Sequence, residues 1–438
     1  MDPAQNDSIP SVSSLDQTAP VAPTTGGGQN GDNTSNNGDN PVVVSPASVV
    51  TQQQEVIDAI QIQKTAAAEQ TANSTITREA VTDSKGQSYD QVRALGEKVE
   101  KSVVPEEMRK ILTDRIARLA LIRSGAGYMS AAYIMEYEAT QRYVNWVTSY
   151  PWKTKSQDLL DLKKARQILD QDHYGLDMLK NRMLEYIASI MLNLQNNGPE
   201  FITQSPILCF VGLAGTGKTT FAMSIARALG RQFIRIPFGG LADSRVLRGQ
   251  SRFYPDAEPG QVYKGIVRAK TKNPVILFDE LDRVTETSRA DIMGVLIELL
   301  DPGQNNAYTD HYIDYPVDLS NCLFVATANN TTAVSTAVLD RLEIIQMPSY
   351  NDEEKTVIGR DYVLPKVKKL IGLQPEQLTI DDPVWEEIIR PLGYDSGIRG
   401  LERLINMMCR KAARIIVSGE AKQIKITLDN YKTFTSEV

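Results

Sequence analysis

The sequence predicts an α/β fold in which a parallel sheet is flanked by helices, with a helical segment before it and a helical subdomain after it. From residue 206 onward, short uninterrupted apolar runs alternate with helical segments. Strands that are apolar on both faces are typical of a parallel sheet covered by helices on both sides. Apolar residues at helical spacing occupy the chain before residue 195, and they return after residue 350.

The first 80 residues differ in composition from the rest of the chain. Residues 1–48 are mainly Gly, Asn, Asp, Ser, Thr, Pro and Gln, and such a segment buries too little apolar surface to offset its ordering entropy. Residues 1–75 contain eight Asp and Glu against one Lys, whereas the rest of the chain has 46 acidic and 46 basic residues. We predict a disordered acidic tail over residues 1–80, with at most a marginal helix after residue 47.

The next segment, residues 81–170, is predicted to form an N-terminal helical domain. Aliphatic residues at 92, 95, 99 and 103, and again at 112, 116, 119 and 122, predict two amphipathic helices separated near Pro105. A third helix is expected over 130–149, ending before Pro151. Residues 156–194 again have a helical pattern, and QNNGPEFITQSP marks a linker.

The nucleotide-binding domain is predicted over residues 171–350. Its strands are expected at ILCFVG, FIRIPF, PVILFDE, CLFVATAN and EIIQM. After residue 350 we expect a helical lid subdomain over 351–438, with no further strand until KQIKITL.

A phosphate-binding loop follows the first of these strands. GLAGTGKT, residues 212–219, lies between ILCFV and the predicted helix FAMSIARAL. Glycines let backbone N–H groups approach phosphate, the lysine reaches the β- and γ-phosphates, and the final hydroxyl binds Mg²⁺. The residues predicted to bind ATP are Gly212, Leu213, Ala214, Gly215, Thr216, Gly217, Lys218, Thr219 and Thr220.

Two carboxylates follow the strand VILF about 60 residues later. Asp279 is predicted to hold Mg²⁺ together with Thr219, and Glu280 to act as general base on the attacking water. Asn329 ends another strand and could orient that water, although such an asparagine also suits a turn. Arg341 and Arg399 are ordinary arginines by spacing alone.

Composition argues against nucleic acid and membrane partners. The neutral body provides no basic surface for nucleic acid, and no apolar run reaches the roughly 20 residues that span a bilayer. The N-terminus lacks the features of a signal peptide. Cys209, Cys322 and Cys409 have no paired spacing, which is typical of reduced thiols. We therefore expect a cytoplasmic protein.

Residues 125–432 resemble the ATPase portion of Lon proteases, members of the AAA+ superfamily. The resemblance includes YVNWVTSYPW, DLKKARQILDQDHYGLDMLKNRMLEYIA, the phosphate loop, KNPVILFDELDR, LLDPGQNNAYTDHYIDYPVDLS and GIRGLERLINMMCRKAA. It implies a homo-oligomeric ring, usually a hexamer, with each ATP between neighbouring subunits. By motif, Asn329 is similar to sensor 1, Arg341 to the arginine finger and Arg399 to the sensor-2 arginine.

The resemblance also bears on DHYGLD and on RFYPDAEPG. His173 and Tyr174 match the family's segment near adenine, although a packing role suits them equally. Tyr254 and Pro255 occupy the position of the pore loop that grips substrate, where the family has an aromatic residue followed by an aliphatic one. The proline removes a backbone donor and stiffens the loop, so we expect altered grip.

Three functions remain open at this point. The first is an ATPase ring that unfolds or remodels polypeptide substrates, because the chain reaches Val438 without a segment that resembles the family's peptidase domain. The second is the motor of a split or truncated serine peptidase in protein quality control, which requires a separate peptidase subunit. The third is an ATP-gated scaffold that does little mechanical work.

Overall fold

The computed structural model describes residues 91–126, 130–197, 207–392 and 395–436. The predicted acidic tail and most of the predicted linker lie outside the described residues. The described N-terminal part is helical, with α1 (residues 91–101), α2 (Glu106–Ala126), α3 (Ala131–Ser149), α4 (Leu162–Asp172) and α5 (Asp177–Asn197).

Local signals set the bounds of these helices. The Ser130 hydroxyl accepts a hydrogen bond from the Tyr133 N–H at the start of α3, and Tyr150 ends the helix in an extended conformation. The predicted helical region 156–194 is interrupted, because Gly175 and Leu176 have φ values of 62° and 55°. This left-handed turn separates α4 from α5 and lies beside the nucleotide site described below.

The central sheet contains the five predicted strands. The strands are β1 (Ile207–Val211), β2 (Phe233–Pro237), β3 (Val275–Asp279), β4 (Tyr308–Thr309), β5 (Pro316–Val317), β6 (Leu323–Ala328) and β7 (Leu342–Gln346). The order in the central sheet is β2-β3-β6-β1-β7, and every pairing is parallel. A short antiparallel pair, β4–β5, was not predicted. The helices between them are α6 (Lys218–Leu229), α7 (Arg245–Arg248), α8 (Gln261–Ala269), α9 (Arg289–Leu300) and α10 (Thr336–Leu339).

Helices cover both faces of this sheet. In β1, Ile207 and Cys209 join a core shared with α1, α2, α3, α8 and α9. Leu208 and Phe210 point to the opposite core, which α4, α5 and α6 complete. The continuous apolar character of β1, β3 and β6 follows from this burial on two sides, and the predicted α/β class is confirmed.

The lid subdomain has its own core, built around the buried indole of Trp385. The elements are α11 (Asp352–Val357), a π-helical segment (Ile358–Val363), α12 (Leu364–Ile371), β8 (Leu378–Ile380), α13 (Asp382–Ile389), α14 (Arg399–Val417), β9 (Ile424–Ile426) and α15 (Tyr431–Thr435). The short strand β8 was not predicted. It pairs in parallel with β9, which lies in the predicted KQIKITL segment.

The predicted boundary between residues 170 and 171 falls inside α4, and the domain limits stay a prediction. Among the described helices, none is long and apolar enough to cross a membrane.

Candidate nucleotide-binding site

The phosphate loop connects β1 to α6 at the carboxyl edge of the sheet. Gly215 and Gly217 have φ values of 85° and 94°, which only glycine adopts without strain. A Cβ atom at Gly212 would lie 2.6 Å from the Met347 carbonyl oxygen. The loop therefore needs glycine at these positions, and the first turn of α6 directs unpaired N–H groups at its opening.

The Lys218 side chain is fixed inside this loop. Its Nζ donates to the carbonyl oxygens of Gly212 and Leu213, at 2.6 and 2.8 Å, and to Asn329 Oδ1 at 3.1 Å. Burial lowers the pKa of this ammonium group. The ammonium group of Lys218 thus links the ends of β1 and β6, and it lies where it can bind an anion.

Asp279, at the end of β3, is 3% exposed and accepts several hydrogen bonds. Its Oδ1 lies 3.1 Å from Thr219 Oγ1 and 2.5 Å from Thr327 Oγ1. Arg235 on β2 donates to Oδ2 through Nε at 2.6 Å. A carboxylate beside a threonine hydroxyl provides the oxygen ligands that Mg²⁺ prefers, so Thr219 and Asp279 fit this ion.

Glu280 has a left-handed backbone conformation, with φ 63° and ψ 53°. Its N–H donates to Thr327 Oγ1 at 2.9 Å, and its carboxylate lies 3.5 Å from Arg283 Nη1. A Cβ atom at Gly239 would come within 2.9 Å of Glu280 Oε2. Such a conformation in a non-glycine residue is costly and clusters at functional sites; here it turns the carboxylate toward the cavity beside Asp279.

These residues surround a cavity of about 1010 Å³ between the sheet edge, the α4–α5 turn and the lid. The predicted site residues that line it are His173, Tyr174, Ala214, Gly215, Gly217, Lys218, Thr219, Thr220, Asp279, Glu280, Asn329 and Arg399. The remaining loop residues shape its wall: Gly212 and Leu213 supply carbonyl oxygens to Lys218, and Thr216 Oγ1 donates to the Leu213 carbonyl at 2.9 Å.

Three predicted residues lie outside this cavity. Arg341 donates to Asp301 Oδ2 at 3.0 Å and to the Ala337 carbonyl at 2.8 Å, and it does not line the cavity. Tyr254 and Pro255 lie on the exposed loop between α7 and α8. The structure therefore separates these three side chains from the phosphate loop of their own chain.

Several further residues line the cavity that spacing along the sequence did not predict. Tyr350 donates from its hydroxyl to the Thr216 carbonyl at 3.1 Å, and burial raises its pKa to about 12. The π-helical segment also lines the cavity, and such segments frequently mark functional sites. Among the described residues that line it are also Arg227 on α6, which pairs with Asp172, Lys366 on α12, which pairs with Glu402, and Lys369 on α12.

His173 is buried in the wall of the cavity. Its Nε2 lies 3.0 Å from Ser224 Oγ, and its ring contacts the Phe221 ring at a centroid distance of 5.1 Å. Burial lowers the pKa of the imidazole to about 4. The side chain is therefore neutral at neutral pH, which suits contact with an uncharged base and suits packing equally.

This depressed pKa predicts a pH effect on stability. The stabilisation from neutral His173 is complete above its ordinary pKa near 6.5 and is lost as pH falls toward 4. Between pH 7 and 5, the unfolding free energy of the wild type should fall by about 2 kcal/mol more than that of His173→Gln. Urea titrations of both proteins measure this difference; equal slopes against pH would contradict the burial of a neutral ring.

Comparison with known proteins agrees with this architecture. Residues 208–350 match the model of the ATPase family associated with various cellular activities (AAA). Residues 369–425 match the Lon protease AAA+ ATPase lid domain. The first match covers the central sheet and its phosphate loop, and the second covers most of the lid core.

Curated relatives match across both domains. The chain is 39% identical to the Lon protease of Trichlorobacter lovleyi over 345 residues, which is 79% of this chain and 40% of that protein. It is 40% identical to the Lon protease of Bacillus thuringiensis over 340 residues, or 78% of this chain and 41% of that protein. The chain thus spans about 40% of the length of these relatives. It contains an AAA ATPase domain followed by a Lon lid domain, and these two domains form a Lon-type AAA+ ATPase module.

Proposed function

We propose that the chain hydrolyses Mg-ATP in this cavity, within an oligomeric ring, and uses the energy to unfold or remodel polypeptides. One observation carries the proposal: the ends of three adjacent strands, β1, β3 and β6, place a lysine, two carboxylates and an amide around one cavity. Lys218, Asp279, Glu280 and Asn329 all line it.

Each of these side chains has a role that its surroundings support. Lys218 and the N–H groups of the loop would bind the phosphates, and Thr219 with Asp279 would hold Mg²⁺. Bound there, the ion would supply positive charge next to the phosphates. Glu280 accepts the proton of the attacking water, and the Asn329 amide orients that water. Arg399, at the start of α14, brings a positive charge from the lid.

The contacts of the lid with the phosphate loop support coupling between the two. The Ile398 N–H donates to the Gly215 carbonyl at 3.1 Å. A Cβ atom at Gly397 would lie 2.5 Å from the Ala214 carbonyl oxygen. Because the backbones touch here, a change in the loop on nucleotide binding should move the lid, which is the motion that a ring needs to pass force between subunits.

The position of Arg341 supports ring assembly. Its guanidinium lies outside the cavity of its own chain and pairs with Asp301, so an effect of Arg341 on turnover would have to act on a neighbouring site. An arginine supplied across an interface contributes on the order of 10³ to 10⁵ in rate. Hydrolysis should therefore depend on assembly.

The loop containing Tyr254 supports a polypeptide substrate. Phe253 and Tyr254 are 98% and 59% exposed, although large aromatic side chains are normally buried. Asp256 and Glu258, on the same loop, are also exposed. Adjacent exposed aromatic rings form a surface that can contact many different side chains of an extended chain.

Replacing Tyr254 tests the polypeptide substrate. We expect Tyr254→Ala to abolish the stimulation of ATP turnover by an unfolded protein while turnover without polypeptide survives, because the residue lies outside the cavity. Tyr254→Phe keeps the ring and serves as the matched control, so stimulation should persist in it. Equal stimulation in Tyr254→Ala and wild type would exclude this loop as the contact.

A further inference from the structure

Residues 249–260, here called the aromatic loop, begin and end at backbone segments that touch each other. This contact is called the neck of the loop. Gly249 has a φ of 78°. A Cβ atom at Gly260 would lie only 1.9 Å from the Leu247 carbonyl oxygen, so the two ends of the loop touch through their backbones. Phe253 and Tyr254 lie midway between them.

Asp310 is the side chain that holds this neck. It is 0% exposed. Its Oδ2 accepts a hydrogen bond from the Gly260 N–H at 2.7 Å, while Oδ1 accepts from the N–H groups of Tyr312 and Ile313 at 2.8 and 3.2 Å. A Cβ atom at Gly249 would lie 2.6 Å from Oδ1. One carboxylate therefore contacts both ends of the aromatic loop and the segment after β4.

Burying the Asp310 carboxylate in this position costs the fold free energy. Burial raises the pKa of Asp310 to about 6, against the opposing effect of its backbone donors and of the nearby charge of Lys264. An unpaired buried charge is strongly unfavourable, and the three N–H donors offset part of that cost. The arrangement is explained if the carboxylate is needed to fix the backbone around it.

Three further contacts hold the aromatic loop on either side of its exposed rings. The Arg252 guanidinium lies 4.5 Å from the centre of the Tyr143 ring and pairs with Asp314 at 3.1 Å. Arg142 on α3 donates to the Pro255 carbonyl at 3.1 Å. The backbone is thus held immediately before Phe253 and immediately after Tyr254, and the neck at Asp310 completes the support.

We infer that Asp310 is a positioning residue, which locks the neck of the aromatic loop so that Phe253 and Tyr254 are presented rigidly to a polypeptide. The inference rests on the proposed function for its substrate, but the locking of the loop is a separate physical claim. A loop whose backbone is fixed at its ends and on both sides of Phe253 and Tyr254 moves together with its domain, so the two rings move as well. In a flexible loop the rings would not follow the domain.

Asp310→Asn tests the locking directly. The amide of asparagine places a donor against the Gly260 N–H or against the Tyr312 and Ile313 N–H groups, so at least one hydrogen bond is lost. Chymotrypsin does not cleave after Tyr254, because Pro255 follows it. The enzyme should instead cut after Phe253 about tenfold faster, as expected when a hydrogen bond to a charged group is lost. Mass spectrometry identifies the cut, and a thermal unfolding curve shows that the variant is folded. Asp256→Asn, exposed on the same loop, should leave the cleavage rate at the wild-type value.

A second pair of variants tests the other end of the aromatic loop, at Gly249. Gly249→Ala combines a positive φ with a Cβ atom against Asp310, and it should accelerate the same cleavage. Gly372→Ala also places alanine at a positive φ, 89°, but with no atom within 4 Å of the added Cβ. It therefore controls for a positive φ without contact to Asp310, and it should leave cleavage after Phe253 unchanged.

The ratio of polypeptide-stimulated to basal ATP turnover, measured on the same proteins, connects the lock to function. We expect the ratio to fall in Asp310→Asn together with faster cleavage. Wild-type cleavage rates in both Asp310→Asn and Gly249→Ala would overturn the inference. Faster cleavage in a protein whose wild type shows no stimulation would support the lock and count against the proposed polypeptide substrate instead.

Discussion

Replacing Glu280 with glutamine should reduce Mg-ATP turnover by about 10² to 10⁴-fold, the usual contribution of a general base. The amide keeps the size of the side chain but cannot accept the proton of the attacking water. Lys218, Thr219 and Asp279 remain, so ATP should still bind with nearly wild-type affinity. The prediction is therefore a loss of turnover without a loss of binding.

The two quantities can be measured on one preparation, by phosphate release and by equilibrium binding of a fluorescent ATP analogue. Glu286→Gln is the matched control, because Glu286 is exposed and lies six residues further on; its turnover should equal that of the wild type. Full turnover in Glu280→Gln would remove this carboxylate from the mechanism. A parallel loss of binding would show that Glu280 acts on the ligand rather than on the water.

Replacing Arg341 with alanine should have an effect of similar or greater size, about 10³ to 10⁵-fold on turnover. The physical reason is the loss of a positive charge that stabilises the transition state in the neighbouring subunit. Because Arg341 lies outside the cavity of its own chain, ATP binding to an isolated subunit should be unaffected. Arg268→Ala, an exposed arginine of the same domain, should keep its turnover.

A mixture of the two inactive variants shows whether Arg341 acts across an interface or within its own chain. A subunit with Arg341→Ala retains Glu280, and a subunit with Glu280→Gln retains Arg341. Rings that contain both should regain part of the turnover, since the arginine of one subunit can complete the site of the other. Co-expressed variants that remain as inactive as each alone would contradict the interface role.

The five strands of the central sheet could be predicted because each contains a short apolar run, and in β1, β3 and β6 this run is buried on both faces, as in Val275 to Phe278. The pair β4–β5 could not, since two-residue strands show no periodicity. The same holds for the three-residue β8. The turn that separates α4 from α5 depends on left-handed residues, of which Leu176 has no sequence signal for that conformation.

Within the site, sequence spacing identified the residues that follow strands β1, β3 and β6. It could not identify Arg235, whose contact with Asp279 depends on the register that pairs Pro237 with Asp279 and so places Arg235 on the same face. Tyr350 and Lys366 reach the cavity only because the lid folds back over the phosphate loop. Such contacts depend on how one domain packs against another, and the spacing of residues along the sequence does not predict them.

If ATP turnover in this cavity is coupled to polypeptide, an unfolded protein should change its rate. The most direct measurement is the rate of phosphate release by the full chain with ATP and Mg²⁺, with and without a chemically unfolded protein. We expect turnover that requires Mg²⁺ and rises when the unfolded protein is added. Turnover that is Mg²⁺-dependent but identical in both conditions would contradict the coupling and favour an ATP-gated scaffold.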